Sequence, residues 1–220
     1  MLAEVNGIQL YYEMIGQGPA LIMVHGNGED HTIFTEAAEK LKGYFTVYLI
    51  DSRDHGQSTK VRELHYDDMA DDVIEFLELL DLRDVVYYGF SDGGIIGLLA
   101  AMKTDRIGRM IISGTNLTPN GVKPGLKARI RMMYLFRKDQ KLRLMLEEPQ
   151  IRTEQLKQIR IPVAVVAGEK DVIRLSETRK IADNLPDAYV RLVPKAGHGS
   201  YIVHKTEIAD IILEETQPVL

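Results

Sequence analysis

The chain has no cysteine among its 220 residues. That removes disulfides, thiolate metal sites and cysteine nucleophiles together, and it is compatible with a reducing cytosol. Basic residues are also scarce: 27 Lys and Arg stand against 32 Asp and Glu, a net charge of −5. A chain with that balance lacks the broad basic face that neutralises phosphates, so no nucleic-acid partner is expected. Long hydrophobic runs are missing too. Stretches such as ALIMV and VAVVAG fall far short of the roughly 20 residues that a helical bilayer span requires. The start of the chain, MLAEVNGIQLYYEMIG, carries neither the basic segment nor the apolar segment of a secretory signal. No repeat or low-complexity segment interrupts it. The expectation is a soluble cytoplasmic protein with no integral membrane segment, of a length that suits one α/β domain.

What is present alternates. Short runs rich in β-branched and aromatic residues occur at Ile8–Glu13, Ala20–Val24, Thr46–Ile50, Val85–Tyr88, Met110–Ser113, Pro162–Ala167 and Tyr189–Val193. Helical patterns separate them, which is the signature of a parallel sheet with helices on both faces. In DMADDVIEFLELLDL, Met69, Val73, Phe76, Leu77 and Leu80 fall on one helical face and acids on the other. GGIIGLLAAM is apolar all round and reads as a buried helix, and the residues about Gly7 and Gly16–Pro19 read as an antiparallel entrance to the sheet. From Thr118 to about Arg160 there is no strand pattern; Leu126, Ile130, Met133 and then Leu142, Met145, Leu146 recur at helical spacing. This segment reads as a helical insertion of the kind that forms lids or binding elements.

Chemistry concentrates in VVYYGFSDGG, Val85–Gly94. Gly89-Phe90-Ser91-Asp92-Gly93 matches G-x-S-x-G between a strand and a helix, the setting of a nucleophile presented on a strained turn. Side chains at the two flanking glycines would collide there. A serine hydroxyl needs a base, and the base needs an orienting acid. Asp171 follows VAVVAGEK, and His198 lies in AGHGS beyond the next strand. Both would sit with Ser91 at the carboxyl edge of the sheet, where open parallel sheets bind ligands. Competing roles are a helix-capping Ser91, an N-capping Asp171 with Glu169 as the acid, and one of five other histidines. Of these, His25 is assigned to the glycine-rich turn after the second strand, His55 to a loop and His204 to the last helix. In that turn, His25-Gly26-Asn27-Gly28, the backbone N–H of Asn27 joins the N–H of Asp92 as candidate oxyanion donors. No H-x-H or H-E-x-x-H spacing suggests a metal.

In the elbow, HGNG, GEKD, AGHGS and DSRDHGQS (Asp51–Ser58), the chain resembles the α/β-hydrolase-fold serine hydrolases over nearly its whole length. The resemblance implies an eight-stranded, mostly parallel sheet with a short antiparallel first strand and helices on both faces. Residues 1–220 would form one such domain, with a small helical cap at about 118–160, shorter than in many relatives. Asp54 departs from the family pattern, which commonly has glycine there. The implied activity is hydrolysis of an ester or related acyl bond of a small molecule: Ser91 attacks, His198 takes the proton, Asp171 orients the imidazole, and no metal or organic cofactor is used. Amide, thioester and carbon–carbon bond hydrolysis, perhydrolysis, and a receptor or regulatory role with little turnover stay open as alternatives. Residues 118–150 hold eight Lys/Arg and three Asp/Glu. They form either a solvated basic face or a cap that attracts anionic substrates, with Met132, Met133, Tyr134 and Phe136 as its apolar wall. Asp92 places a carboxylate beside the nucleophile, paired to solvent or a nearby donor, or facing a cationic group of the substrate.

Overall fold

The computed structural model describes residues 1–216. Eight strands form one sheet in the order β1-β2-β4-β3-β5-β6-β7-β8. β1 (Leu2–Val5) and β2 (Ile8–Gly16) make a hairpin across Asn6 and Gly7, both at positive φ (47° and 74°), the turn chemistry that Asn-Gly favours. β2 also pairs antiparallel with β4 (Thr46–Ile50). The pairings among β4, β3 (Ala20–Val24), β5 (Val85–Phe90), β6 (Ile107–Ser113), β7 (Val163–Gly168) and β8 (Ala188–Val193) are all parallel.

Two hydrophobic layers explain why the central strands read as unbroken apolar runs. Ile22, Val24, Tyr87 and Ile112 face one layer, packed by α2 (Tyr66–Leu79), α3 (Asp92–Ala101) and α7 (Leu175–Asn184) through Phe76, Ile95 and Ile181. Leu21, Met23, Tyr88 and Ile111 face the other, packed by α1 (Thr35–Leu41) and α8 (Glu207–Thr216) through Ala38, Leu41, Ile208 and Ile212. Successive strand residues point to opposite faces, so a sheet covered on both sides needs apolar residues at every position. His204 lies in the turn before α8 rather than in the helix, with its N–H on the Ile33 carbonyl at 2.9 Å.

The order of strands creates a cleft. From β3 the chain winds outward to β4 on one side, then returns to place β5 on the other side of β3. The carboxyl ends of β3 and β5 therefore flank a topological switch point, where connections diverge and leave a crevice. Between β6 and β7 run α4 (Pro124–Arg137), α5 (Gln140–Glu147) and the short α6 (Thr153–Leu156), with no strand among them. Contacts that bind this excursion to the body of the fold include an isolated bridge Val122–Ile173, Lys123 Nζ on the Asp171 carbonyl at 2.5 Å, and Gln140 Nε2 on the Val61 carbonyl at 2.8 Å.

Candidate active site

Ser91 follows β5 at φ 52°, ψ −111°, backbone that L-residues adopt only under constraint. So sharp a turn brings neighbouring backbones together. A Cβ on Gly89 would overlap the Gly93 carbonyl, and one on Gly93 would overlap the Val24 carbonyl at the end of β3. The turn is locked further by the Ser91 N–H on the Ser113 carbonyl at 2.8 Å. Although Ser91 stands at the N-cap of α3, its side chain makes no capping bond. Its Oγ lies 3.2 Å from His198 Nε2 instead.

His198 Nδ1 in turn lies 2.7 Å from Asp171 Oδ1. Asp171 is 3% exposed and takes a second hydrogen bond from the Ile173 N–H at 2.9 Å. Burial pushes its carboxyl upward, but the bond and charge of His198, then the Ile173 and Gly168 backbone, outweigh burial and hold it below the usual range. An ionised acid on Nδ1 leaves Nε2 free to face the hydroxyl. Asp171 is not the N-cap of α7, a place held by Arg174, and Glu169 turns outward to accept the Lys195 N–H at 2.7 Å. Space for the imidazole comes from Gly114, at φ 63° directly after β6. A Cβ there would come within 2.6 Å of His198 Cε1 and 2.7 Å of Nδ1. Phe90 packs against the same imidazole, with ring centroids 4.9 Å apart.

At the end of β3, the Gly26 N–H is taken by Glu29 Oε2 at 3.0 Å. The N–H groups of Asn27 and Asp92 have no protein acceptor among the described residues. That of Asp92 is one of the free donors that open every helix. The Asn27 side chain adds a contact that the sequence did not disclose: its Nδ2 donates to Asp92 Oδ2 at 2.9 Å and to the Lys141 carbonyl of α5 at 3.2 Å. Asp92 itself is 4% exposed, and burial raises its carboxyl to about 6 against the opposing hydrogen bonds of Asn27 and Tyr66. Of its two expected pairings, with solvent or a nearby donor, the structure shows the second, with two neutral donors.

Two small cavities meet at Ser91, of about 20 and 130 Å³. Leu126 of α4 and Met145 of α5 wall both, with Tyr66, Asn116, Val122, Glu148 and Ile173 around the smaller and Glu29 and Phe90 around the larger. Met133, Tyr134 and Phe136, the expected apolar wall, line neither. Helical rise explains the correction: Met133 lies seven residues beyond Leu126, about 10 Å further along the axis. Tyr134 instead borders an outer groove between α4 and α5, and Phe136 is 81% exposed.

The remaining histidines hold structure. His25 Nδ1 meets the Gly26 carbonyl at 2.8 Å and its Nε2 accepts the Ser52 N–H at 3.1 Å. His55 is buried against it and lowered to about 4, by burial first and then by His25. Asp30, His31 and Asp51 bring potential ligand atoms within 4.8 Å of one another. They already serve one another and the loop: Asp51 accepts from His31 N and Gln57 N at 2.7 and 2.8 Å, and Asp30 caps Thr32 N at 2.9 Å.

A family model described as the alpha/beta hydrolase fold matches residues 19–150. The chain belongs to that family. It is 25% identical to the AB hydrolase superfamily protein YisY of Bacillus subtilis (strain 168), over 94% of this chain and 95% of YisY. It is 36% identical to the human serine hydrolase BPHL over 51% of this chain, a match reaching only 41% of BPHL. The esterase EaEST from Exiguobacterium antarcticum shares the fold at a TM-score of 0.86, with 18% identity and 97% of each chain covered. As a member of this hydrolase family the chain has the expected eight-stranded α/β architecture. No described helix is long and apolar enough to cross a membrane.

Proposed function

We propose that this hydrolase is a serine esterase acting on a small acyl substrate. The observation that carries the reading is the continuous path from Ser91 Oγ to His198 Nε2 at 3.2 Å and from His198 Nδ1 to Asp171 Oδ1 at 2.7 Å. Ser91 Oγ attacks the ester carbonyl while His198 Nε2 accepts its proton, and the Asn27 and Asp92 N–H groups hold the oxyanion. The imidazolium, held by the ionised Asp171, returns that proton to the leaving alkoxide and an acyl-enzyme remains. Water then adds to the acyl carbonyl as Nε2 takes its proton, and collapse of the intermediate releases the acid and restores Ser91. The cavities at Ser91 are well below the 300–1,000 Å³ of drug-sized pockets, which favours a short acyl group. Asp92 supports a second reading of the substrate: a carboxylate at the cavity wall with only neutral donors around it is suited to a cationic group on the acyl portion.

The test is hydrolysis of p-nitrophenyl acetate and butyrate with fluorophosphonate labelling. Ser91→Ala is expected to lose turnover by at least about 10³-fold and to lose all labelling, with an unchanged thermal midpoint. Labelling at another residue, or substantial residual turnover, breaks the assignment.

A further inference from the structure

The outer face of α4 is built against the usual rule for a surface helix. Its inner face packs inward through Leu126, at the Ser91 cavities, and Ile130, 4% exposed. Its outer face should then be polar, but Pro124, Ala128, Met132, Leu135 and Phe136 are all exposed, with Met132 at 58%, Leu135 at 59% and Phe136 at 81%. Their spacing of four, four, three and one residues forms a single stripe along the helix at about 100° per residue. Arg129 borders one edge of the stripe; Lys127 and Arg131 border the other.

Charge in this stretch has one sign. Residues 123–138 contain six Lys/Arg and no Asp or Glu, in a chain of net charge −5. Along the Lys127–Arg131 edge, a groove of about 660 Å³ opens between α4 and α5, lined by Pro124, Ala128 and Leu135 of the stripe together with Tyr134 and Leu146, with Lys127 and Arg131 among its walls. An apolar stripe edged by cations is the pattern of helices that lie in the headgroup region of a bilayer, with apolar side chains inserted and basic ones at the anionic surface. A symmetric contact with a second copy suits it less well, because two such stripes would bring the two cation sets face to face with no acid in the segment to pair them.

We infer that the outer face of α4 docks this protein onto an anionic lipid surface, inserting Met132, Leu135 and Phe136 while Lys127, Arg129 and Arg131 engage the headgroups. The inference goes beyond hydrolysis and does not depend on it. Docking would turn the outside of the helix that walls the Ser91 cavities toward the lipid.

The test is co-sedimentation of the full chain with vesicles of phosphatidylcholine alone and of phosphatidylcholine mixed with phosphatidylglycerol, at low and high salt. Thermal midpoints serve as the fold control, so the outcome stands whether or not esterase activity is found. Binding is expected only to the mixed vesicles and is expected to weaken as salt rises. Arg129→Gln and Arg131→Gln should each lower the partition coefficient about fivefold. Leu135→Ser with Phe136→Ser should lower it at least tenfold at an unchanged midpoint. No binding to the mixed vesicles at low salt, or equal binding to both kinds, overturns the inference. So does a dimer in light scattering that the Leu135→Ser/Phe136→Ser pair dissolves, when the parent chain does not sediment with vesicles; that result would assign the stripe to a second copy.

Discussion

Asp54, a departure from the pattern that the sequence resemblance implies, has a partner in the structure. Its backbone is at φ 64° and its side chain, 8% exposed, pairs with Lys141 Nζ of α5, 22% exposed. Burial raises the Asp54 carboxyl, but the hydrogen bond and charge of Lys141 outweigh it and hold the group below its ordinary value. The Lys141 carbonyl in turn accepts from Asn27 Nδ2, so one residue ties the helical excursion both to the β4 loop and to the turn that follows β3. Removing the two partners should not cost the same. Lys141→Met leaves a carboxylate with no cation in a buried place, which costs 3–5 kcal/mol when burial is complete. With Lys141 a fifth exposed, about 2 kcal/mol is expected. Asp54→Asn leaves an ammonium that can reach solvent, and about 1 kcal/mol follows. At about 2–4 °C per kcal/mol for a chain of this size, the thermal midpoint should fall by about 4–8 °C and about 2–4 °C respectively. The double variant should resemble Asp54→Asn alone, a coupling of about 2 kcal/mol within the range that contacting residues show. A carboxyl lowered by folding stabilises above its unfolded pKa of about 3.9 and loses that contribution as pH falls through the folded value. The gap between wild type and Asp54→Asn should therefore be constant from pH 5 to 8 and close below pH 4. Urea unfolding across that range, with trypsin cleavage within 118–160 as a local probe, measures all of this. Additive single-variant costs, or a gap indifferent to acid, would refute the role of the pair.

Gly114→Ala should place a methyl against the His198 ring at a backbone φ of 63°. We expect kcat/KM to fall at least about 100-fold with a cooperative unfolding transition retained; near-normal kcat/KM would show that the imidazole is not confined there. Burial raises Asp92 to about 6, so the folded state binds its proton more tightly than the unfolded chain, and stability falls as pH rises from about 4 to 6. Asp92→Asn should remove up to about 3 kcal/mol of that slope in urea unfolding, and an unchanged slope would place its cause elsewhere. If Asp92 meets a cationic group, wild type should favour an amino-acid ester over its des-amino analogue and Asp92→Asn should not. Equal ratios of kcat/KM in the two proteins would close that reading.

Features set by backbone chemistry could be read from the chain; those set by packing between distant elements could not. Gly89 and Gly93 have to be glycine because the turn at Ser91 presses them against Gly93 and Val24, so the motif carries its own geometry. Seven strands were legible from their composition. The eighth, Leu2–Val5, pairs antiparallel with β2 across Asn6-Gly7, but four residues are too few for its alternation to stand out in composition. Met133, Tyr134 and Phe136 were read as a site wall because helical spacing gives the faces of a helix but not the point along its axis that reaches the site. Leu126 and Met145 occupy that point. Gly114 offered only a glycine after a strand, and its use is visible only when the His198 loop, 84 residues away, is brought beside it.

The division of labour within the site follows from the same distinction. Ser91, Asn27, Asp171 and His198 all follow strand ends, on backbone anchored by a sheet whose two faces are buried, so the sheet sets their spacing and the excursion between β6 and β7 touches them only at a few joins. Leu126 and Met145 belong to that excursion and set how much room the cavities at Ser91 leave. Changes in 118–160 away from the joins can therefore reshape the cavities without disturbing the hydroxyl–imidazole–carboxylate path. They become costly where the two parts are joined, at Lys123, which bonds the Asp171 carbonyl, and at Lys141, whose carbonyl accepts from Asn27 Nδ2, because loosening the excursion there frees backbone beside that path. Selectivity should thus be easy to change through Leu126 and Met145 and hard to change through Lys141.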